Sequence, residues 1–186
     1  MWINKIVRKA KIGIRGATYL NSKFGVSYLQ LLRSFFSKEK LLTIPIKNLS
    51  VTTDIYRALY VSNSLYNLEK YGWKLHVNNI NDDLVLYENK NEEIKIYSRI
   101  DDAFGHAGLI EEIFIWEVYK SDFKNKVVID VGAYRGESTI YFAINGAKKV
   151  IALEPDEENY KLALMNIKEN GLENKIILLN KALAPK

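Results

Sequence analysis

Between Val127 and Leu179 short apolar runs alternate with longer amphipathic ones, and this alternation restricts the possible folds more than any other feature of the chain. Val127-Val128-Ile129, Val150-Ile151-Ala152-Leu153 and Ile176-Ile177-Leu178-Leu179 are strand-length and almost wholly apolar. Helical patterns from about Glu137 to Asn145 and from about Asp156 to Asn170 separate them. The order is β-α-β-α-β. Uniformly apolar strands joined through helices predict a parallel sheet covered on both faces, and right-handed crossovers then predict the spatial order 3-2-1.

Upstream the pattern differs. In Met1 to about Lys40, Ile3, Val7, Ala10 and Ile14 recur at helical spacing, with Lys5, Arg8, Lys9, Lys11 and Arg15 largely off that stripe and Gly13, Gly16 and Gly25 expected to interrupt it. Tyr28, Leu31, Leu32, Phe35 and Phe36 predict a second helix before a break at Pro45. Thr52 or Thr53 is placed to cap a third, which begins near Asp54, carries Ile55, Leu59, Val61, Leu65 and Leu68 inward and stops at Gly72. Trp73–Val77, Leu84–Tyr87 and Ile94–Tyr97 alternate as strands, the last two joined through Asn89-Lys90-Asn91 as a hairpin. A further helix is expected over Gly108–Tyr119. Three segments result: a basic helical segment over 1–50, a helix with a β-hairpin over 51–105, and the βαβαβ domain over 106–186.

Composition removes several chemistries. The chain has no cysteine, and His76 and His106 stand apart, so neither thiolate catalysis nor a protein-built metal centre is expected; a cytoplasmic setting fits. The net charge of +5 is unevenly distributed, because residues 1–40 hold nine Lys/Arg against Glu39 alone. A nucleic-acid binder spreads its positive charge over the folded body, so none is expected as a partner. The localised surplus, with Trp2 near its start, suits peripheral contact with a membrane surface through residues 1–40, ordinary packing of the stripe being the alternative. No apolar run approaches the roughly 20 residues of a membrane span.

The chemistry-bearing motif is Asp130-Val131-Gly132-Ala133-Tyr134-Arg135-Gly136, at the carboxyl end of the first strand. Loops leaving that end of a parallel sheet form the crevice in which ligands bind, and Gly132 and Gly136 permit close backbone approach. Glu154 follows Gly132 by twenty-two residues, at the end of the second strand. A carboxylate there accepts hydrogen bonds from both hydroxyls of a ribose. The Gly-x-x-x-Gly spacing does not suit a pyrophosphate, and Glu137 at the helix start repels one. A sulfonium and an ammonium beside a carboxylate, as in S-adenosylmethionine, instead suit Asp130 at the mouth of the crevice. The alternative is that Asp130 and Glu154 only cap the turns and helices that follow them.

The run Val127–Ala133, then Gly136–Ala143, Gly146–Pro155, Asn159-Tyr160, Asn166 and Asn170-Gly171-Leu172, resembles the FkbM-type class I methyltransferases, over about residues 106–186. The resemblance implies a Rossmann-like α/β domain of which the first three parallel strands are present. It implies S-adenosylmethionine as cofactor and methyl transfer, usually to an oxygen of a sugar-containing (glycan) or other small-molecule acceptor. Asp130, Gly132 and Gly136 correspond to the methionyl and turn positions and Glu154 to the ribose position. Ala133, Tyr134 and Pro155 belong to the loops around them, and Asn180 at the third strand's exit is placed to border the adenine. Tyr134-Arg135 departs from the family's usual Asn followed by an aliphatic residue, and Arg135 is expected to point outward, the alternative being that it binds the donor carboxylate.

The family fold continues beyond three strands, so the first strand is expected to lie at an open edge and activity of these 186 residues alone to be weak or absent, with a non-catalytic remnant or interaction module as the rival reading. His106 and Glu112 are candidates for a base over the crevice, against a turn histidine and a solvated glutamate.

Overall fold

The computed structural model of the protein describes residues 2–46, 49–77, 84–100 and 102–183. The chain divides into two compact units, residues 1–85 with 99–111 and residues 86–98 with 112–186.

The first unit opens with α1 (Trp2–Phe24), which runs unbroken through Gly13 and Gly16. It ends at Gly25, whose φ of +67° turns the chain so that the Val26 N–H donates to the Leu20 carbonyl at 3.2 Å. The side chains of Trp2, Ile3, Lys5, Val7, Arg8 and Lys9 lie outside the described residues. Ala10 and Ile14 of the expected apolar stripe are exposed, and the helix buries Gly16, Tyr19 and Leu20 instead. Gly16 has a packing reason: a Cβ there would sit 2.1 Å from the Leu59 carbonyl oxygen, so two helix backbones nearly touch.

A capping box starts α2 (Tyr28–Phe36), Ser27 Oγ accepting from the Gln30 N–H while Gln30 Oε1 accepts from the Ser27 N–H at 2.7 Å. An unanticipated antiparallel ribbon follows, β1 (Leu41–Ile46) against β2 (Leu49–Asp54). Pro45, read as a break, is a strand residue opposite Ser50; a two-stranded ribbon has an edge on each side, where a missing N–H costs little. Thr52 and Thr53, read as caps, also lie in β2. The cap of α3 (Ile55–Lys70) is Asp54, whose Oδ1 accepts from the N–H groups of Tyr56 and Arg57 at 2.8 and 3.2 Å.

Strand β3 (Trp73–Val77) and helix α4 (Ala103–Ile110) complete this unit. The helix expected over Gly108–Tyr119 therefore begins earlier and gives way to a π-helical turn over Glu111–Ile115. His106, read as a turn residue, is helical and buried.

Strand β4 (Leu84–Asn89) neighbours β5 (Ile94–Arg99), both in the second unit except for Leu84, Val85 and Arg99, and in that unit β6 (Val127–Val131), β7 (Lys149–Leu153) and β8 (Ile176–Leu179) form a parallel sheet in the order β6-β7-β8. Helices α5 (Glu137–Ile144) and α6 (Glu157–Glu169) connect them. Two right-handed crossovers that step in one direction lay both helices on one face. That face is dry: Val150 and Ala152 are fully buried, as are Ile140 and Ala143 of α5 and Ala163 of α6. Tyr141 and Phe142 of α5 extend it in edge-to-face contacts with Phe123, and with Phe114 and Tyr119 respectively.

The opposite face is not covered as expected. Val127, Ile129 and Val131 of β6 are 58, 66 and 54% exposed, and Ile177 of β8 is 42% exposed. Strand β6 also ends the sheet order, pairing with β7 alone among the described strands.

Candidate cofactor site

The three strand ends are tied together by backbone and side-chain hydrogen bonds. Val131 stands opposite Leu153, and Leu153 opposite Leu179. Just beyond, the N–H groups of Gly132 and Ala133 both donate to the Leu153 carbonyl, at 2.8 and 2.9 Å, and the Glu154 N–H donates to the Leu179 carbonyl at 3.0 Å. Asn180 Nδ2 donates to the carbonyls of Glu154 and Pro155 at 2.9 and 3.1 Å, binding the exit of β8 to that of β7. Pro155 and Asn180 are exposed, and Ala133 is buried.

The loop between β6 and α5 uses three consecutive-but-one left-handed residues: Gly132 at φ +82°, Tyr134 at +51° and Gly136 at +92°. The two glycines serve different surroundings. Around Gly132 nothing lies within 4 Å of where a Cβ would stand, so its backbone faces open space. At Gly136 a Cβ would meet Ala163 at 3.5 Å, so this turn closes against α6 rather than towards a ligand.

Glu154 is 6% exposed, and each of its oxygens is already engaged. Oε2 accepts from the Tyr134 N–H at 2.8 Å and Oε1 from the Asp156 N–H at 2.9 Å. A carboxylate has about four acceptor positions, so one on each oxygen remains for a pair of hydroxyls. Glu154 thus holds the glycine loop and the start of α6 in place, as a capping residue does, and retains the acceptor capacity that a ribose needs.

Asp130 lies in β6 opposite Ala152, and by the strand's two-residue period Glu154 continues the Ala152 side of β7. The two carboxylates therefore belong to one side of the sheet. Asp130 Oδ2 accepts from Ser138 Oγ at 2.8 Å and from Thr139 Oγ1 at 2.6 Å, both in the first turn of α5. Those two hydroxyls occupy Oδ2, so any further partner of Asp130 must be met through Oδ1. Glu137, at the start of the same helix, is buried.

Arg135 overturns its expected outward orientation. It is 5% exposed, Nη1 donates to Ser98 Oγ at 2.7 Å, and the guanidinium stacks 4.6 Å from the Tyr134 ring centroid. Asn166 of α6, fully buried, donates to the Arg135 carbonyl at 2.9 Å and exchanges hydrogen bonds with both backbone groups of Tyr97 in β5. Asn170, one turn later, does the same at Lys95. The motif positions Asn166 and Asn170 are thus structural partners of a strand edge; a polar residue repeated at i, i+4 on an otherwise apolar helix face is the sequence signal for that role.

Among the described residues no group of three or more His, Asp or Glu is placed to hold a metal ion, and no helix is long and apolar enough to cross a membrane. No family model matches the chain. Solved structures similar to part of it include PRMT6 with SAH, at 24% identity over 42% of this chain and 22% of that one, with a TM-score of 0.34. A Listeria monocytogenes protein, provisionally described as an S-adenosylmethionine-dependent methyltransferase, matches at 28% identity over 40% and 33%, TM-score 0.33. The M. jannaschii tRNA m1G37 methyltransferase matches at 24% over 59% and 29%, TM-score 0.30. The chain spans about a third or less of the length of these structures.

Proposed function

We propose that residues 127–183 hold the donor side of an S-adenosylmethionine-dependent methyltransferase of FkbM type, acting on an oxygen of a sugar-containing or other small-molecule acceptor. One observation carries the reading: a buried glutamate at the tip of β7, braced by the N–H groups of Tyr134 and Asp156, beside a left-handed glycine with open space where a side chain would be. These residues fit the cofactor. Glu154 offers one acceptor position per oxygen to the two ribose hydroxyls, Gly132 lets the nucleoside lie against the backbone, and Asp130 Oδ1 supplies negative charge for the ammonium of the methionyl tail. When bound, S-adenosylmethionine supplies an electrophilic methyl group on a sulfonium. The protein's own contribution here is alignment, through strand tips joined by Asn180 and a loop held by Glu154.

Titration calorimetry of the full chain with S-adenosylmethionine tests this. Saturable binding that weakens by roughly 10- to 100-fold in Glu154→Ala is the expected result, from loss of two hydrogen bonds to a charged acceptor. Absence of binding to a folded wild-type chain refutes the reading. The acceptor class is then separated by a methyl-transfer assay offering glycans, small hydroxylated molecules and tRNA side by side.

A further inference from the structure

Helix α2 exposes the wrong side chains for a helix that only packs. Its apolar residues occupy more than one third of the helix circumference, yet Leu31 alone is buried. Leu29, Leu32 and Phe36, spaced i, i+3 and i+7 and so sharing one stripe, are 57, 56 and 81% exposed. Phe35, 41% exposed beside them, lines an apolar cavity of ≈ 660 Å³ with Ile12, Gly13, Tyr56, Leu59 and Tyr60. Cations border the stripe: Arg33 lies at its margin, Lys38 and Lys40 follow within a turn of the helix end, and all three are exposed.

We infer that the α2 face of Leu29, Leu32 and Phe36 is a docking surface for an anionic lipid bilayer, the apolar stripe entering the acyl boundary while the surrounding cations meet the headgroups. The choice of occupant rests on charge: residues 1–40 carry nine Lys/Arg against one acidic residue, a surplus complementary to anionic lipid and self-repelling for a second copy of the same segment. Neither the apolar nor the electrostatic contribution suffices alone for stable attachment, and α2 brings them together. This moves the proposed membrane contact from the stripe of α1, to which Ala10 and Ile14 belong, to α2, a helix with a built apolar face. It does not depend on the methyltransferase reading.

Flotation of the full chain with phosphatidylcholine vesicles, and with vesicles that also contain phosphatidylserine, is the experiment. The chain should float with the anionic vesicles and stay behind with the neutral ones, and added salt should weaken the binding. Leu32→Glu/Phe36→Glu should lower partitioning by roughly a hundredfold and Arg33→Glu/Lys38→Glu by at least about tenfold. Leu164→Glu, at an exposed position of α6, should leave it unchanged. All these positions are exposed, so thermal melts should match wild type. The inference is overturned by failure to float with anionic vesicles, by equal partitioning of the Leu32/Phe36 variant, or by a concentration-dependent dimer that this variant abolishes while no vesicle binding occurs.

Discussion

Tyr97 is paired through both of its backbone polar groups to the side chain of Asn166: its N–H donates to Oδ1 at 2.7 Å and its carbonyl accepts from Nδ2 at 3.1 Å. A primary amide presents the same donor–acceptor pair as a peptide group, so a helix residue completes the edge of β5 as a neighbouring strand would. Nδ2 also reaches the Arg135 carbonyl, which connects that edge to the loop carrying Gly132.

Removing the amide should therefore be costly. Asn166→Ala leaves the part-buried backbone groups of Tyr97 and the buried Arg135 carbonyl without their Asn166 partner and is expected to destabilise the protein by about 2–4 kcal/mol. Asn170→Ala, at a half-buried position where water can substitute, should cost about 1 kcal/mol. Urea denaturation of the two variants checks the ranking; equal losses would show that Asn166 has no special place.

Two glycines of α1 should respond in opposite directions to the same substitution. Gly16→Ala drives a methyl into the Leu59 backbone, which cannot rotate away, and should cost about 1–3 kcal/mol. Gly13→Ala has nothing within 4 Å and should raise stability by up to about 1 kcal/mol through helix propensity. Thermal melts of the pair separate steric closeness from any general intolerance of this helix.

At the candidate site, Gly132→Ala strains a residue held at φ +82° without a clash, for about 1 kcal/mol of stability. Because the new methyl points into the space assigned to the nucleoside, S-adenosylmethionine affinity should fall further than stability, by about tenfold or more. Calorimetry beside a denaturation curve distinguishes the two; an unchanged affinity places the nucleoside elsewhere.

Tyr19 gives an alkaline signature. Burial first, then the charge of Glu69 and the 3.0 Å hydrogen bond to it, push its phenol well above the ordinary value of about 10. A raised folded value means that the folded state keeps the proton longer. The stabilisation is complete below the ordinary phenol value and is lost as pH climbs from there towards the folded one. Tyr19→Phe should lower stability at neutral pH and flatten its decline in the alkaline range, measured as denaturation midpoints across pH.

Much of this was readable from the residues. The three apolar runs, their helices and the strand order 3-2-1 follow from pattern length and period, which depend on near neighbours. The cap of α3 lies one or two positions beyond the sequence expectation because Thr52, Thr53 and Asp54 are all competent caps, and only the length of the β2 pairing, which carries the strand through both threonines to its last residue Asp54, sets the helix start there. Pro45 misled for a related reason: its prohibition applies to a central strand, and nothing local reports that a ribbon has only two.

What the sequence determined by itself was the alternation that makes a parallel α/β sheet and the placement of Asp130, Gly132 and Glu154 at its strand tips, since both are consequences of short-range order. Tertiary structure alone decided that Arg135 turns inward to Ser98, that Gly136 closes on Ala163, that Asn166 substitutes for a strand, and that one sheet face and the α2 stripe stay open. Each of those outcomes pairs groups distant along the chain, or leaves them without cover, and burial and hydrogen-bond satisfaction are properties of the assembled neighbourhood rather than of any residue in it.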